Sequence, residues 1–140
     1  MEKLFNWASI VFGAAGGFLS GVLGGWDKWL AALVVFVCLD FATGIVKGIF
    51  QHRLASEICF KGIVKKVFIF VVVAIGVVLQ SLVGDNLPLR DIVVCFYLAN
   101  EGISVLENIA EFIPLPAKLK EVLLQIREKS EESRETKENE

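Results

Sequence analysis

The stretch Val67–Val83, VFIFVVVAIGVVLQSLV, holds no charged residue, and Gln80 and Ser81 are its polar side chains. A helix of about 20 such residues rises ~30 Å, the thickness of a bilayer's hydrocarbon core. Outward from it lie three more apolar blocks, from about Phe5 to Leu23, about Trp29 to Phe50 and about Ile92 to Ile113. A soluble core mixes apolar and polar residues at helical or strand period. Here the apolar residues come in long blocks, and most charges sit in a few short stretches and at the chain's end. Of the 140 residues, 55% are apolar, and the mean hydropathy is +0.64. The expected fold class is an all-α integral membrane protein with about four transmembrane helices. Three is the alternative, with the first block outside or on the surface. Trp7, Trp26, Trp29 and Phe60 flank the blocks, as aromatic rings at headgroup level do.

Two connections are short: Gly24 to Lys28, and Gly84 to Pro88 with proline as a stop signal. The middle one, Gln51 to about Lys66, carries Arg53, Lys61, Lys65 and Lys66 against the single acid Glu57. Lys and Arg near the membrane mark cytoplasmic loops, so this connection and both termini are expected to be cytoplasmic. Pro114 and Pro116 are expected to end the fourth block. Beyond them, Lys118 to about Glu128 predicts a short amphipathic helix with Leu119, Val122, Leu123 and Ile126 on one side. Lys129–Glu140 is nearly all charged or polar and reads as a disordered tail. The chain thus divides into a transmembrane helical domain, 1–116, and a cytoplasmic amphipathic helix with charged tail, 117–140. A cleaved signal peptide is disfavoured for the first block, because its start is barely basic and no A-x-A site follows.

The first block sets Gly13, Gly17, Gly21 and Gly25 at a spacing of four, with Ser9 upstream in the same series. In lipid, helices gain little from hydrophobic exclusion, and close backbone approach supplies the packing energy. These glycines read as a helix-packing ridge for another copy or a partner helix; the alternative is a span that is merely rich in glycine. Asp40 lies inside the second block, followed by Thr43, Gly44 and Lys47. A carboxylate near mid-bilayer costs about 2.5–3.5 kcal/mol on insertion scales and faces other helices or water. Asp40 therefore pairs with Lys47 or packs against another helix, snorkels from a shifted span, or lines an aqueous path.

The fourth block carries Asn100, Glu101, Ser104, Glu107, Asn108 and Glu111. At ~100° per residue these fall within an arc of roughly 120°. Its three glutamates, at a few kcal/mol each, outweigh about eight strong apolar residues at ~0.3–0.6 kcal/mol each. Such a helix is not stable alone in lipid. It needs polar partners, a water-filled lumen or a place at the interface. The expectation is that associated copies turn these intramembrane polar residues toward a shared aqueous space.

Other functions are disfavoured. A net charge of −2 does not point to nucleic acid. Cys38, Cys59 and Cys95 lack the C-x-x-C spacing of a zinc site and are odd in number for a disulfide framework. His52 is the only histidine, and no phosphate-cradling glycine loop is present. No metal, cofactor or catalytic activity is expected.

Three motifs then coincide. Asp40–Gly44 (DFATG) resembles the D-[YF]-x-T-G element in an early span of the toxin-secretion/phage-lysis holin family. Phe60–Lys66 (FKGIVKK) resembles that family's F-K-G-I-x-K-K connection, and Ala99–Asn108 (ANEGISVLEN) its A-N-E-G-I-S-[IV]-L-E-N stretch. A Pro-x-Pro segment and a Leu- and Lys-rich helix follow, as in that family. The resemblance covers roughly residues 26–127; Gln80 departs from it, standing near an acid that many members carry. The resemblance implies a bacteriophage holin, a multi-pass protein of the bacterial cytoplasmic membrane with lipid as its immediate partner. It implies a homo-oligomer that opens lesions at a set time, so that endolysin, or in some members a large toxin, crosses and lysis or secretion follows. Endolysin is then a functional partner without required direct contact, and an antiholin a further one. Met1 is the only methionine, so no internal AUG restart is expected. The alternatives are a small non-lytic ion channel or transporter using Asp40 or Glu101, and a regulatory antiholin-like membrane adaptor.

Overall fold

The computed structural model describes residues 1–53, 56–84, 86–122, 124–125 and 128. It contains four long helices: α1 (Glu2–Val22), α2 (Lys28–Phe50), α3 (Ser56–Val83) and α4 (Leu89–Ile109). Among the described residues there is no strand. All four helices are long and apolar enough to cross a membrane.

Local chemistry sets the ends of these helices. Glu2 sits in the first turn of α1, where a negative charge complements the helix dipole. Gly24 and Gly25 adopt φ of 81° and 94° just past α1, a left-handed exit that glycine makes without strain. Asp27 then caps α2, its carboxylate accepting the Leu30 N–H at 2.8 Å. Gly84, at φ 95°, closes α3 by donating its N–H to Gln80 O at 2.9 Å. Pro88 precedes the first residue of α4.

Two boundaries differ from the sequence expectation. The helix containing Val67–Val83 starts eleven residues earlier, at Ser56, and runs for 28 residues, about 42 Å at 1.5 Å per residue. Lys61, Lys65 and Lys66 therefore stand on α3 rather than in a loop, and of the basic set only Arg53 lies in the connection. Lysine is a good helix former, and the apolar residues between the lysines extend the helix beyond a single membrane thickness. At the other boundary, α4 stops at Ile109, short of Pro114. Phe112 and Ile113 both donate to Ile109 O, at 2.9 and 3.1 Å, so a turn precedes the prolines and carries Glu111. Residues 117–122 and 124–125 are helical, with Leu119 and Val122 exposed. Leu123, Ile126 and the 129–140 tail lie outside the described residues.

α4 is the central element. It packs most extensively on α2 and next on α3, whereas α2 and α3 meet only briefly. Leu30, Leu33, Val73 and Val94 are fully buried where these three helices meet, and Val37 and Ile69 join them. Gly76 permits the close approach of α3 to α4: a Cβ there would stand 3.4 Å from Leu89 O, Arg90 Cα and Val93 Cγ2.

α1 contrasts with this bundle, since none of its residues is buried. Among the described residues nothing approaches within 4 Å of where a Cβ would stand on Gly13, Gly17 or Gly21. These three lie on α1, but Gly25 lies in the turn beyond it, so the ridge on the helix is one glycine shorter than its sequence spacing suggested. Gly25 has left the helix because its left-handed φ turns the chain toward α2.

Gly76→Leu is expected to push α3 away from α4 and destabilise the bundle by about 1–3 kcal/mol, the usual cost of overpacking. A clear drop in the thermal unfolding midpoint in detergent checks this; an unchanged midpoint contradicts it.

Candidate functional site

The polar residues of the spans gather in a seam between α2, α3 and α4. Lys66 of α3 projects its ammonium between two carboxylates, Asp40 of α2 and Glu101 of α4, and makes a charged hydrogen bond to each. Glu101 is only 5% exposed. Asn108, two turns along α4, donates its side-chain amide to Asp40 Oδ1 at 3.1 Å and to Thr43 Oγ1 at 3.2 Å. The Thr43 hydroxyl in turn donates to Leu39 O at 2.8 Å. Gly44, one residue on, faces this same amide, 3.7 Å from where its Cβ would stand.

Where the chain leaves α2 and α4, Lys47 pairs with Glu111 at 2.7 Å, and Gln51 Nε2 donates to Glu111 Oε2 at 2.8 Å. Lys47, then Gln51, hold the Glu111 carboxyl below the usual carboxylate range. Phe50 and Phe112 close this end edge to face, centroids 5.1 Å apart. Asn100 and Ser104 are half-buried and, with the exposed Glu107, line a cavity of about 440 Å³ beside the Lys66 cluster.

The acids of the fourth block are therefore largely neutralised within one chain. Asp40 pairs with Lys66 rather than Lys47, which serves Glu111 instead. Sequence spacing could not reveal this, because Lys66 is 26 residues from Asp40 and reaches it only through the fold. Among the described residues, Glu107 is the glutamate of the stripe that is left without an ion pair. Among the described residues no buried side-chain nitrogen or oxygen lacks a hydrogen-bond partner.

A second cluster, not anticipated from the sequence, lies at the opposite end. Arg90, 7% exposed at the start of α4, clamps the α1–α2 turn. Its Nη1 donates to Asp27 Oδ2 at 2.7 Å and Asp91 Oδ1 at 3.1 Å. Its Nε donates to Leu23 O at 2.7 Å, and Nη2 to Gly25 O at 3.1 Å. Its backbone N–H donates to Gln80 Oε1 at 3.1 Å, which gives Gln80 a structural task. Gly24 passes so close that a Cβ would stand 2.7 Å from Arg90 Nε. The Arg90 guanidinium, then the Leu30 N–H, hold the Asp27 carboxyl below its ordinary range. The sequence signal was a lone arginine directly after Pro88-Leu89 in a chain whose other cations cluster elsewhere.

Lys66→Met is expected to leave two carboxylates facing each other inside the bundle and to cost about 3–5 kcal/mol, the penalty for stranding a buried charge. Combining it with Asp40→Asn and Glu101→Gln is expected to recover most of the loss. Folded yield and thermal midpoint in detergent check both, and a harmless Lys66→Met contradicts the assignment.

A pH dependence follows from Asp27. A carboxyl lowered by folding stabilises fully above its unfolded value, and that stability is lost as pH falls through the lower folded value. The thermal midpoint should therefore fall on acidification below the ordinary carboxylate range. Asp27→Asn should flatten that part of the profile, and parallel profiles for variant and parent would contradict the assignment.

Comparison with known proteins bears on what this seam serves. Residues 17–128 match the model of the bacteriophage holin family. An uncharacterized 14.9 kDa protein of Clostridium perfringens is 38% identical over 131 residues, covering 92% of this chain and 99% of that protein. An uncharacterized protein of Listeria monocytogenes, Lmo0128, is 36% identical over 136 residues, 96% of this chain and 95% of its own length. A probable holin of Bacillus phage phi105 is 33% identical over 91 residues, 64% of this chain and 67% of that protein. No solved structure gives a significant match. The family match spans the last six residues of α1, all of α2 to α4 and both ion clusters, and the chain belongs to the bacteriophage holin family.

Proposed function

We propose that this protein acts as a holin that oligomerises in the bacterial cytoplasmic membrane and opens timed lesions for an endolysin or a large toxin. The observation that carries this reading is the seam itself. A multi-pass bundle devoted only to anchoring gains nothing from Asp40, Lys66, Glu101 and Asn108 inside its spans, since each is costly in lipid. Held together within one chain, they keep the resting protein compatible with the bilayer. Exchanged for water between copies, the same residues form a hydrated wall.

The open face of α1 supports association. Among the described residues nothing lies within 4 Å of where a Cβ would stand on Gly13, Gly17 or Gly21, and small-residue surfaces are where spans meet in lipid. The cluster of Arg53, Lys61, Lys65 and Lys66 supports a cytoplasmic α2–α3 end. With four spans, both termini then lie in the cytoplasm, and residues 117–140 follow the transmembrane domain there. Endolysin needs no contact with the chain, only the lesion; an antiholin would act by joining the oligomer without opening it.

Induced expression in bacteria should halt growth, collapse the membrane potential and release a co-expressed endolysin. Unimpaired growth at high membrane levels would refute the reading. Selective ion flux without passage of folded protein would favour a small channel instead. Replacing Gly17 and Gly21 by Ile should weaken cross-linked oligomers and delay lysis. Unchanged oligomers and timing would remove α1 from the association surface.

A further inference from the structure

The cavity beside the Lys66 cluster exists because α2 and α3 barely touch. Gly44 and Gly48 of α2 and Gly62 of α3 line it without side chains to fill it, and α4 forms its back wall. It lies toward the end of the bundle where α2 and α3 are connected, since Arg53 and Ile58 also line it. α3 is about 42 Å long at 1.5 Å per residue, more than one hydrocarbon thickness, so with Arg53, Lys61 and Lys65 near that end it is long enough to reach headgroup level.

The wall carries charge of both signs. Lys66 is occupied by Asp40 and Glu101, and Lys47 by Glu111. Arg53, Lys65 and Glu107 also line the cavity and make no ion pair among the described residues. Counting the pairs with them, the wall balances to zero: the Lys66 cluster is one negative charge in excess, Glu107 adds another, and Arg53 and Lys65 supply two positive charges. A cavity of about 440 Å³ is large enough for a small polar headgroup.

We infer that this cavity holds the headgroup of a zwitterionic, amine-bearing phospholipid, its phosphate on Arg53 and Lys65 and its ammonium facing Glu107. Arginine and lysine pair well with a phosphate diester, and basic pockets between spans are sites of headgroup capture. The unpaired acid and the neutral wall favour a headgroup that carries its own positive charge over an anionic one. The acyl chains would leave through the gap between α2 and α3. The inference does not depend on lesion formation.

The full chain, extracted in mild detergent and mixed with phosphoethanolamine and phosphoglycerol lipids of identical acyl chains, would be analysed by native mass spectrometry. The phosphoethanolamine lipid should be retained preferentially. The Arg53→Gln, Lys65→Gln variant should retain it about tenfold less, as expected for the loss of charge-assisted bonds to the phosphate. Glu107→Gln should abolish the preference between the two lipids. Lys61→Gln, an exposed cation on α3 outside the cavity, should change nothing. Because the Arg53 and Lys65 side chains make no ion pair among the described residues, their variants should unfold at the parent's midpoint. Equal retention of both lipids by the parent, or retention indifferent to Arg53 and Lys65, would overturn the inference. So would displacement of the lipid by millimolar inorganic phosphate, which would assign the site to a free anion.

Discussion

A charge inside a membrane span must find a counter-charge or water, and Lys66 is where this chain meets that demand. Its ammonium joins α2, α3 and α4 at one point, because Asp40 and Glu101 come from the two helices on either side of it. Apolar contacts in lipid discriminate poorly between one helix register and another, since acyl chains are as apolar as the side chains they replace. An ion cluster with members on three helices has no such tolerance. Sliding any helix by one residue rotates its charged group by about 100° and breaks the cluster. The register of the bundle thus rests on its polar residues, and Leu30, Leu33, Val73 and Val94 fill the space that register defines.

Arg90 imposes the matching constraint at the other end. It gathers the carbonyls of Leu23 and Gly25 with the carboxylates of Asp27 and Asp91, so the turn after α1 is fixed to the start of α4. α1 itself remains outside the packed core. Among the described residues the chain is therefore a three-helix body with charged joints at both ends, and a fourth helix joined to it through the turn that Arg90 clamps, with nothing within 4 Å of its glycine Cβ positions. In a protein of the holin family this division is physically sensible. On the proposed function, the body would shelter Asp40 and Glu101 while the protein is dispersed, and the helix that contributes least to the packed core would be the one that serves assembly.

The long apolar blocks determined by themselves that the chain is helical and a multi-pass membrane protein, because a bilayer admits few backbone solutions, while the choice of four long apolar helices over three came from the structure. The DFATG, FKGIVKK and ANEGISVLEN stretches determined the family. The sequence also exposed the cost of Asp40, Glu101, Glu107 and Glu111, since insertion energies depend on residue type and depth alone. It did not reveal who neutralises them. Lys66 looked like a loop cation because the lysine-rich segment breaks the apolar run, yet its residues favour helix and α3 continues through it. Lys66 lies 26 residues from Asp40 and 35 from Glu101, and Leu23 lies 67 from Arg90, beyond the reach of any periodicity. Only the tertiary structure, by bringing three helices to one ammonium and a turn to one guanidinium, decided that these charges are satisfied within a single chain.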